Sequence, residues 1–270
     1  VKTALVSFAV GPLYERIERT TGPLRQRYAD RHGYSYHVVS RLPQELIERF
    51  PDKGMQWYCR RAKLILPTLF QEYENLIIMD GDSFIMPDAP DLMQFEDMIP
   101  SGGFAAANTI THAERRKFFP DWSESYYDSL KAFLPEPYSL TDETKYINSG
   151  LLLCRPREVA ERWSALCAIP GTLNDENLLN AYEVQQGKCF FLNSVDAKWH
   201  VLWFYEKHRR NALTPARKSP FSPRFLWKTV KNRIAWPCWE PSLFSRCCMD
   251  CHFIHLAFEA KKCAFLSRAI

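Results

Sequence analysis

Short apolar runs closed by a glycine, a proline or an acid recur along this chain, with helical patterns between them. Residues 3–10 form one such run, broken by Gly11-Pro12, and predict a buried strand. Tyr14 to His32 has a helical pattern. An interruption is expected near Gly22-Pro23, because an internal proline removes one backbone bond and clashes with the preceding turn. Tyr34 to Ser40 alternates and predicts a second strand. The chain thus opens strand–helix–strand, the start of a nucleotide-binding half-domain. No G-x-G-x-x-G follows the first strand, so neither a dinucleotide fingerprint nor a phosphate P-loop is present.

Residues 55–73 predict one long helix with a kink or break at Pro67. It leads into Leu76–Met79, four apolar residues that predict a buried strand of a parallel sheet. That strand ends abruptly in Asp80-Gly81-Asp82, and Phe84 to Met86 resumes the apolar pattern. Asp91 to Ile99 predicts a short helix capped by Asp88 or Asp91, and Phe104 to Ala107 a strand of small residues. Residues 108–145 are polar and irregular, with one helix around 124–133, and predict a substrate-facing insertion. Tyr146–Cys154 is a strong strand carrying Asn148-Ser149-Gly150. Glu158 to Ala168 reads as a helix, and Asn174 to Asn180 opens another that ends near Gly187. Cys189 to Leu192 and His252 to Ala257 close the pattern as strands. Between these last two, residues 205–250 are rich in Pro, Arg, Lys and Trp without periodicity and suggest a flap or an acceptor lobe. The organisation expected is a core over 1–204, an irregular insertion over 205–251, and a strand and tail over 252–270 that return to the active site.

Composition narrows the class. The 270 residues suit one large α/β domain, and 46% hydrophobic with 14% aromatic content supplies a substantial core, which excludes general disorder. A net charge of +4 is too weak to argue for nucleic acid. No stretch reaches the length of a transmembrane helix, and Val1 to Phe8 reads as a first strand and not as a targeting segment. Of nine cysteines, Cys59, Cys154, Cys167 and Cys189 lie in apolar segments and read as reduced core residues. Cys238, Cys247, Cys248, Cys251 and Cys263 cluster late. A cytoplasmic, reducing compartment is expected, with peripheral membrane contact as a possibility raised by the basic stretch with Trp227, Trp236 and Trp239.

The chemistry gathers on Asp80 and Asp82. Carboxylates at the carboxyl end of a buried strand sit where open α/β sheets bind ligands. One intervening glycine lets both reach a single divalent cation, and Gly81 leaves room for a ligand to approach the backbone. Oxygen ligands suit Mg2+ or Mn2+, and one imidazole, such as His255 in Phe253–Ala257, shifts the balance to Mn2+. A zinc site from Cys248, Cys251 and His252 or His255 is the competing use of that histidine. Arg60 and Lys63 lie three apart on the predicted helix and share a face that could hold a phosphate or sugar hydroxyls, with Arg61 pointing elsewhere. Asn148 and Ser149 need polar partners in their buried strand, and a ligand rich in hydroxyls is one. Asp175 and Glu176 stand at a helix start, where acids are also ordinary caps.

In their order these motifs resemble GT-A-fold glycosyltransferases, most closely family 8 and the related galactosyl/mannosyl-transferase-like group. The set comprises a nucleotide-binding opening, Tyr28-Ala-Asp-Arg-His-Gly-Tyr-Ser-Tyr36, an Arg/Lys segment, a strand ending D-x-D, N-S-G, a D-E-x-x-L-N helix start and a late His255-x5-Lys261. The resemblance covers residues 1–200 and 252–262. It implies a mixed, mainly parallel Rossmann-like sheet flanked by helices, with a C-terminal lobe. It implies a nucleotide-sugar donor, with UDP favoured, a glycan or lipid-linked acceptor, and retention of configuration. By the resemblance, Asp80, Asp82 and His255 hold Mn2+, and Lys261 contacts the donor phosphates. Lys63 or Arg60 is the basic residue before the acidic strand. Asn148, Asp175 and Glu176 attend the donor sugar, and Ala9, Val10 and Tyr14 hold base and ribose. Phe258 departs from the glycine usual between the histidine and lysine, and Glu176 stands where glutamine is usual. Two other readings are a haloacid-dehalogenase-type phosphatase, with Asp80 as nucleophile and Asp82 as acid/base, and a non-catalytic nucleotide-sugar-binding protein. Phe84 counts against the phosphatase, whose motif carries Thr or Val there.

Overall fold

A computed structural model describes residues 2–111, 141, 143–171, 173–199, 201–202 and 253–255, with 108–111, 197, 201–202 and 253–255 described as backbone. The first unit is strand β1 (Thr3–Phe8), helix α1 (Pro12–His32) and strand β2 (Ser35–Val39). Helices α2 (Gln44–Arg49), α3 (Met55–Cys59) and α4 (Leu66–Leu69) follow, with a 3-10 turn at Ala62–Leu64. Strands β3 (Asn75–Asp80) and β4 (Ser83–Ile85) flank the acidic turn. After a 3-10 helix over Leu92–Met98 come β5 (Phe104–Thr111) and β6 (Lys145–Cys154). Helices α5 (Pro156–Leu166) and α6 (Asp175–Tyr182) lead to β7 (Cys189–Phe191), β8 (Val201–Leu202) and β9 (Phe253–His255).

Six strands form the main sheet in the order β2-β1-β3-β6-β5-β7. β1 pairs parallel with β2 and β3, and β5 parallel with β7, while β6 runs antiparallel between β3 and β5. The sheet is mixed and mainly parallel. Alternate residues feed two cores, one per face. Ala4, Val6, Leu76, Ile78, Leu152 and Phe104 pack with Leu64, Leu66 and Trp163 on one side. Leu5, Ile77, Met79, Leu151 and Ala105 pack with Tyr28, Leu92 and Phe95 on the other. Burial on both faces explains why these strands read as continuous apolar runs. A second sheet, β4-β9-β8, leaves the main sheet at the acidic turn.

Two helix expectations fail. α1 is continuous through Gly22 and Pro23. Gly22 leaves room for the Glu18 carboxylate, since a Cβ there would lie 2.7 Å from Glu18 Oε1 and displace it. The stretch 55–73 is not one helix. It breaks at Arg60 and Arg61, ahead of Pro67, which stands in the first turn of α4 where proline is tolerated. The fully buried Arg61 turns inward and donates to the carbonyls of Cys167 (2.8 Å), Ile169 (2.6 Å) and Gly171 (3.0 Å), which a regular helix would not permit. Cys59 is exposed and not a core residue, whereas Cys154 and Cys167 are buried. Of the two proposed caps, Asp91 accepts from the Met93 N–H at 2.8 Å. Among the described residues no helix is long and apolar enough to cross a membrane. The predicted helix at 124–133, the insertion 205–251, Trp227, Trp236, Trp239, Cys248, Cys251, His252, Phe258 and Lys261 lie outside the described residues.

Candidate active site

The site is built where β1 and β3 end together. Their register sets Phe8 opposite Asp80, so Ala9 and Val10 run beside the Asp80-Gly81-Asp82 turn. Because β2 and β3 lie on opposite sides of β1, this is a topological switch point, where a crevice opens at the carboxyl ends of the strands. The Gly81 N–H donates to the Phe8 carbonyl at 2.8 Å. A Cβ on Gly81 would lie 2.9 Å from that oxygen and 3.1 Å from the Ala9 Cα. The space that Gly81 leaves free on its Cβ side is therefore taken by the backbone of β1.

β6 supplies the opposite wall. Its register against β5 jumps from Ala106↔Leu152 to Ala107↔Asn148, and against β3 it stops at Met79↔Leu151. Asn148, Ser149 and Gly150 are thus an irregularity beside the end of β3, the kind of bulge that re-aims side chains near active sites. The Gly150 N–H donates to Asn148 Oδ1 at 3.0 Å, and Ser83 Oγ donates to the Gly150 carbonyl at 3.3 Å. α6 closes the third side. Asn174 and Asn177 form a reciprocal capping box at its start, and the Asp175 N–H donates to the Arg60 carbonyl at 2.7 Å. Asn180 docks the helix, accepting from the Ile147 N–H at 3.0 Å.

Lys63 joins the three walls. It is 5% exposed, and its Nζ lies 2.7 Å from Asp80 Oδ1 and 2.7 Å from Asp175 Oδ2. It also donates to Ser149 O (3.0 Å) and Ser149 Oγ (2.9 Å). Burial alone would pull the ammonium pKa down, but Asp175 and Asp80 outweigh it and hold Lys63 above its ordinary value. Lys63 is thus engaged by four protein oxygens. The expectation of a shared Arg60–Lys63 helical face is replaced by a break, with Arg60 capping α3 and Lys63 in a 3-10 turn.

The other sequence-nominated residues fall around this centre. Asp82 is 4% exposed. The Tyr14 phenol, 37% exposed, is pushed up to about 12 by burial and by the charges of Asp82 and Asp80, so it stays protonated at the rim. Glu176 Oε2 accepts from Asn148 Nδ2 at 3.1 Å and from the Ser149 N–H at 3.4 Å. β9 pairs antiparallel with β4 so that His255 stands opposite Ser83, one residue beyond Asp82. Ser149, expected to need a polar partner, finds it in Lys63 and Glu176. Sequence reasoning missed Arg25, which donates to the carbonyls of the acidic turn but reads in α1 as a solvated helix arginine.

A divalent cation fits this donor set. One ammonium faces two carboxylates, and Asp82 adds a third acid beside them, so the local charge is negative and the donors are hard oxygens. Among the described side chains no group of three His, Cys, Asp or Glu converges as a metal cage. A cation here would rely on the two aspartates together with oxygens from a bound diphosphate, the usual arrangement for phosphate-linked Mg2+.

No family model matches this sequence, and a search of curated proteins finds no match. Solved structures do match. One is a glycosyltransferase involved in glycosylation of the major capsid of PBCV-1, at 13% identity and TM-score 0.54 over 100% of both chains. Another is a glutamine-to-glutamate active-site mutant of LgtC, at 13% identity and TM-score 0.53, covering 98% of this chain and 95% of that one. Galactosyltransferase LgtC in complex with donor and acceptor sugar analogs matches at 13% identity and TM-score 0.50. With its mixed sheet and switch-point crevice, the chain has the GT-A glycosyltransferase fold.

Proposed function

We propose that this protein is a glycosyltransferase that moves a sugar from a nucleoside-diphosphate sugar, UDP favoured, to a hydroxyl of a glycan or lipid-linked acceptor. The observation that carries the reading is the pairing of Lys63 with both Asp80 and Asp175, which ties the acidic turn of β3 to the start of α6. Such a tie joins a diphosphate-binding element to a sugar-binding one. Asp80 and Asp82 would hold Mn2+ or Mg2+, with His255 from β9 as a third ligand and Lys261 beyond it on the phosphates. When bound, the cation neutralises the donor diphosphate and makes the nucleoside diphosphate a better leaving group.

The chain's own groups set the geometry. Lys63 fixes the rotamers of Asp80 and Asp175 and keeps the two limbs in register. Asn148 and the Ser149 N–H hold the Glu176 carboxylate, which with Asp175 faces the donor sugar. Tyr14, protonated throughout the physiological range, offers a hydroxyl donor at the rim beside Ala9 and Val10, where base and ribose would lie. In the retaining reaction the bond from the anomeric carbon to the phosphate oxygen breaks, and the acceptor oxygen bonds to that carbon on the same face. The acceptor proton passes to the departing phosphate oxygen. A reducing, cytoplasmic setting is the compartment proposed with this activity.

The test is nucleotide release from a panel of UDP- and GDP-sugars, with and without Mn2+, by the protein and by Asp82→Ala. Metal-dependent release that the variant loses while melting cooperatively supports the reading. Release from no donor in the panel, with or without acceptor sugars, contradicts it.

A further inference from the structure

We propose that Arg25 is a positioning residue for the donor site, holding the backbone of the Asp80–Ser83 turn in the one shape that lets Asp80 and Asp82 act together. The inference rests on the function proposed above. An arginine on a helix ordinarily carries its charge out to water along its aliphatic stem. Arg25 is instead 0% exposed in the middle of α1. Its Nη1 donates to Ser7 Oγ at 2.8 Å and pairs with the Glu18 carboxylate. Its Nη2 is directed at three carbonyls of the acidic turn: Asp80 (3.3 Å), Gly81 (3.1 Å) and Ser83.

Carbonyls alternate in direction along a strand, so three from a four-residue stretch converge on one nitrogen only because the chain turns there from one ladder to the next, between Asp80 at the end of β3 and Ser83 at the start of β4. Buried carbonyls at such a turn need a donor, and Arg25 is that donor. The arginine is held in its turn. Glu18 also accepts from the Ser7 and Tyr36 hydroxyls, and Gly22 lacks the side chain that would strike Glu18 Oε1. Residues of β1, α1 and β2 are thus committed to one guanidinium. An apolar side chain would fill the same space without the cost of desolvating a charge, so packing alone does not account for the choice. A lysine would not serve equally, because a single ammonium cannot span Glu18 on one side and three carbonyls on the other.

Arg25 acts through the turn, so its loss should show as a weakened cation site. The experiment is a Mn2+ titration of the full chain with UDP, read from the paramagnetic resonance signal of free Mn2+, with a melting curve for each variant. Wild type is expected to take up Mn2+. Arg25→Met and Arg25→Lys are expected to melt cooperatively yet bind Mn2+ at least tenfold more weakly, and donor hydrolysis lost at low Mn2+ returns as Mn2+ is raised. A cooperatively folded Arg25→Met with wild-type Mn2+ affinity overturns the inference and leaves the proposed function standing. A wild type that takes up no Mn2+ overturns the proposed function, and this inference with it. Where Arg25→Met does not fold, Arg25→Lys and Tyr36→Phe decide. A severalfold loss of affinity in either supports the role, and wild-type affinity in both overturns it.

Discussion

Two fully buried arginines, Arg25 and Arg61, do the same thing in different electrostatic settings. Each gathers three backbone carbonyls. Arg25 holds the turn after β3 that carries Asp80, and Arg61 holds the loop after α5 that leads to Asp175. The two limbs meet at Lys63. Arg25 is balanced by Glu18, whereas the described partners of Arg61 are the three carbonyls and the face of Trp57, 4.7 Å from its guanidinium carbon. Burial accordingly pulls the Arg61 pKa below its ordinary value. The difference indicates that the Asp80 limb carries a fixed internal ion pair behind the acidic turn, while the Asp175 limb relies on neutral acceptors and packing.

The comparison can be broken at its junction. Lys63→Met leaves Asp80 and Asp175 facing each other without their shared cation. Unfolding free energy should fall by about 3–5 kcal/mol, as for other buried pairs cut on one side. Sugar transfer should fall by roughly 10²–10³-fold, the scale of losing a preorganised electrostatic contact. Denaturant melts and initial rates check this, and near-wild-type transfer would remove Lys63 from the centre of the account. Arg61→Met sharpens the contrast with Arg25→Met. It should cost about 3 kcal/mol from carbonyls left without a donor, while Mn2+ affinity stays at the wild-type value. Equal losses of Mn2+ affinity in both variants would mean that the two limbs are not separately held.

A smaller effect is expected at Glu176. Glutamine in its place can still accept from Asn148 Nδ2 and the Ser149 N–H, so Glu176→Gln should change transfer by about fivefold, the difference between a charged and a neutral hydrogen bond. A steady-state rate comparison checks it. The smallest effect is on alkaline stability. Tyr14 is raised in the folded state to about 12 from an ordinary 10, so the folded protein binds its proton more tightly than the unfolded chain does. Its contribution is complete below pH 10 and is lost as pH rises toward 12. The melting temperature of Tyr14→Phe should therefore fall less than that of wild type across this window. Parallel curves would contradict the burial of Tyr14 beside the acids.

The acidic turn was legible because an apolar run buried on both faces ends in Asp80 with no polar transition. Lys63, Asn148, Asp175 and Glu176 were legible as candidates, but their mutual contacts were not. The break at 60–61 depends on carbonyls 106 to 110 positions further on, which no local pattern encodes. Gly22-Pro23 looks like an interruption because the letters do not show that the Glu18 carboxylate, one turn earlier on α1, turns inward and lies over the glycine. Arg25 was invisible for the same reason, since in sequence a buried helix arginine and a solvated one are the same letter. His255 was chosen from its apolar surroundings, and its strand register, opposite Ser83 of β4 on one side and Leu202 of β8 on the other, places it beyond the acidic turn.

On the proposed function, the Lys63-centred cluster, with Asp82, forms a metal-dependent diphosphate site. Calorimetric titration of UDP into the protein, with and without Mn2+, tests it most directly when repeated with Asp82→Ala. Mn2+ is expected to tighten UDP binding at least tenfold in wild type and to have no effect in the folded variant. UDP affinity indifferent to both Mn2+ and Asp82 would contradict it.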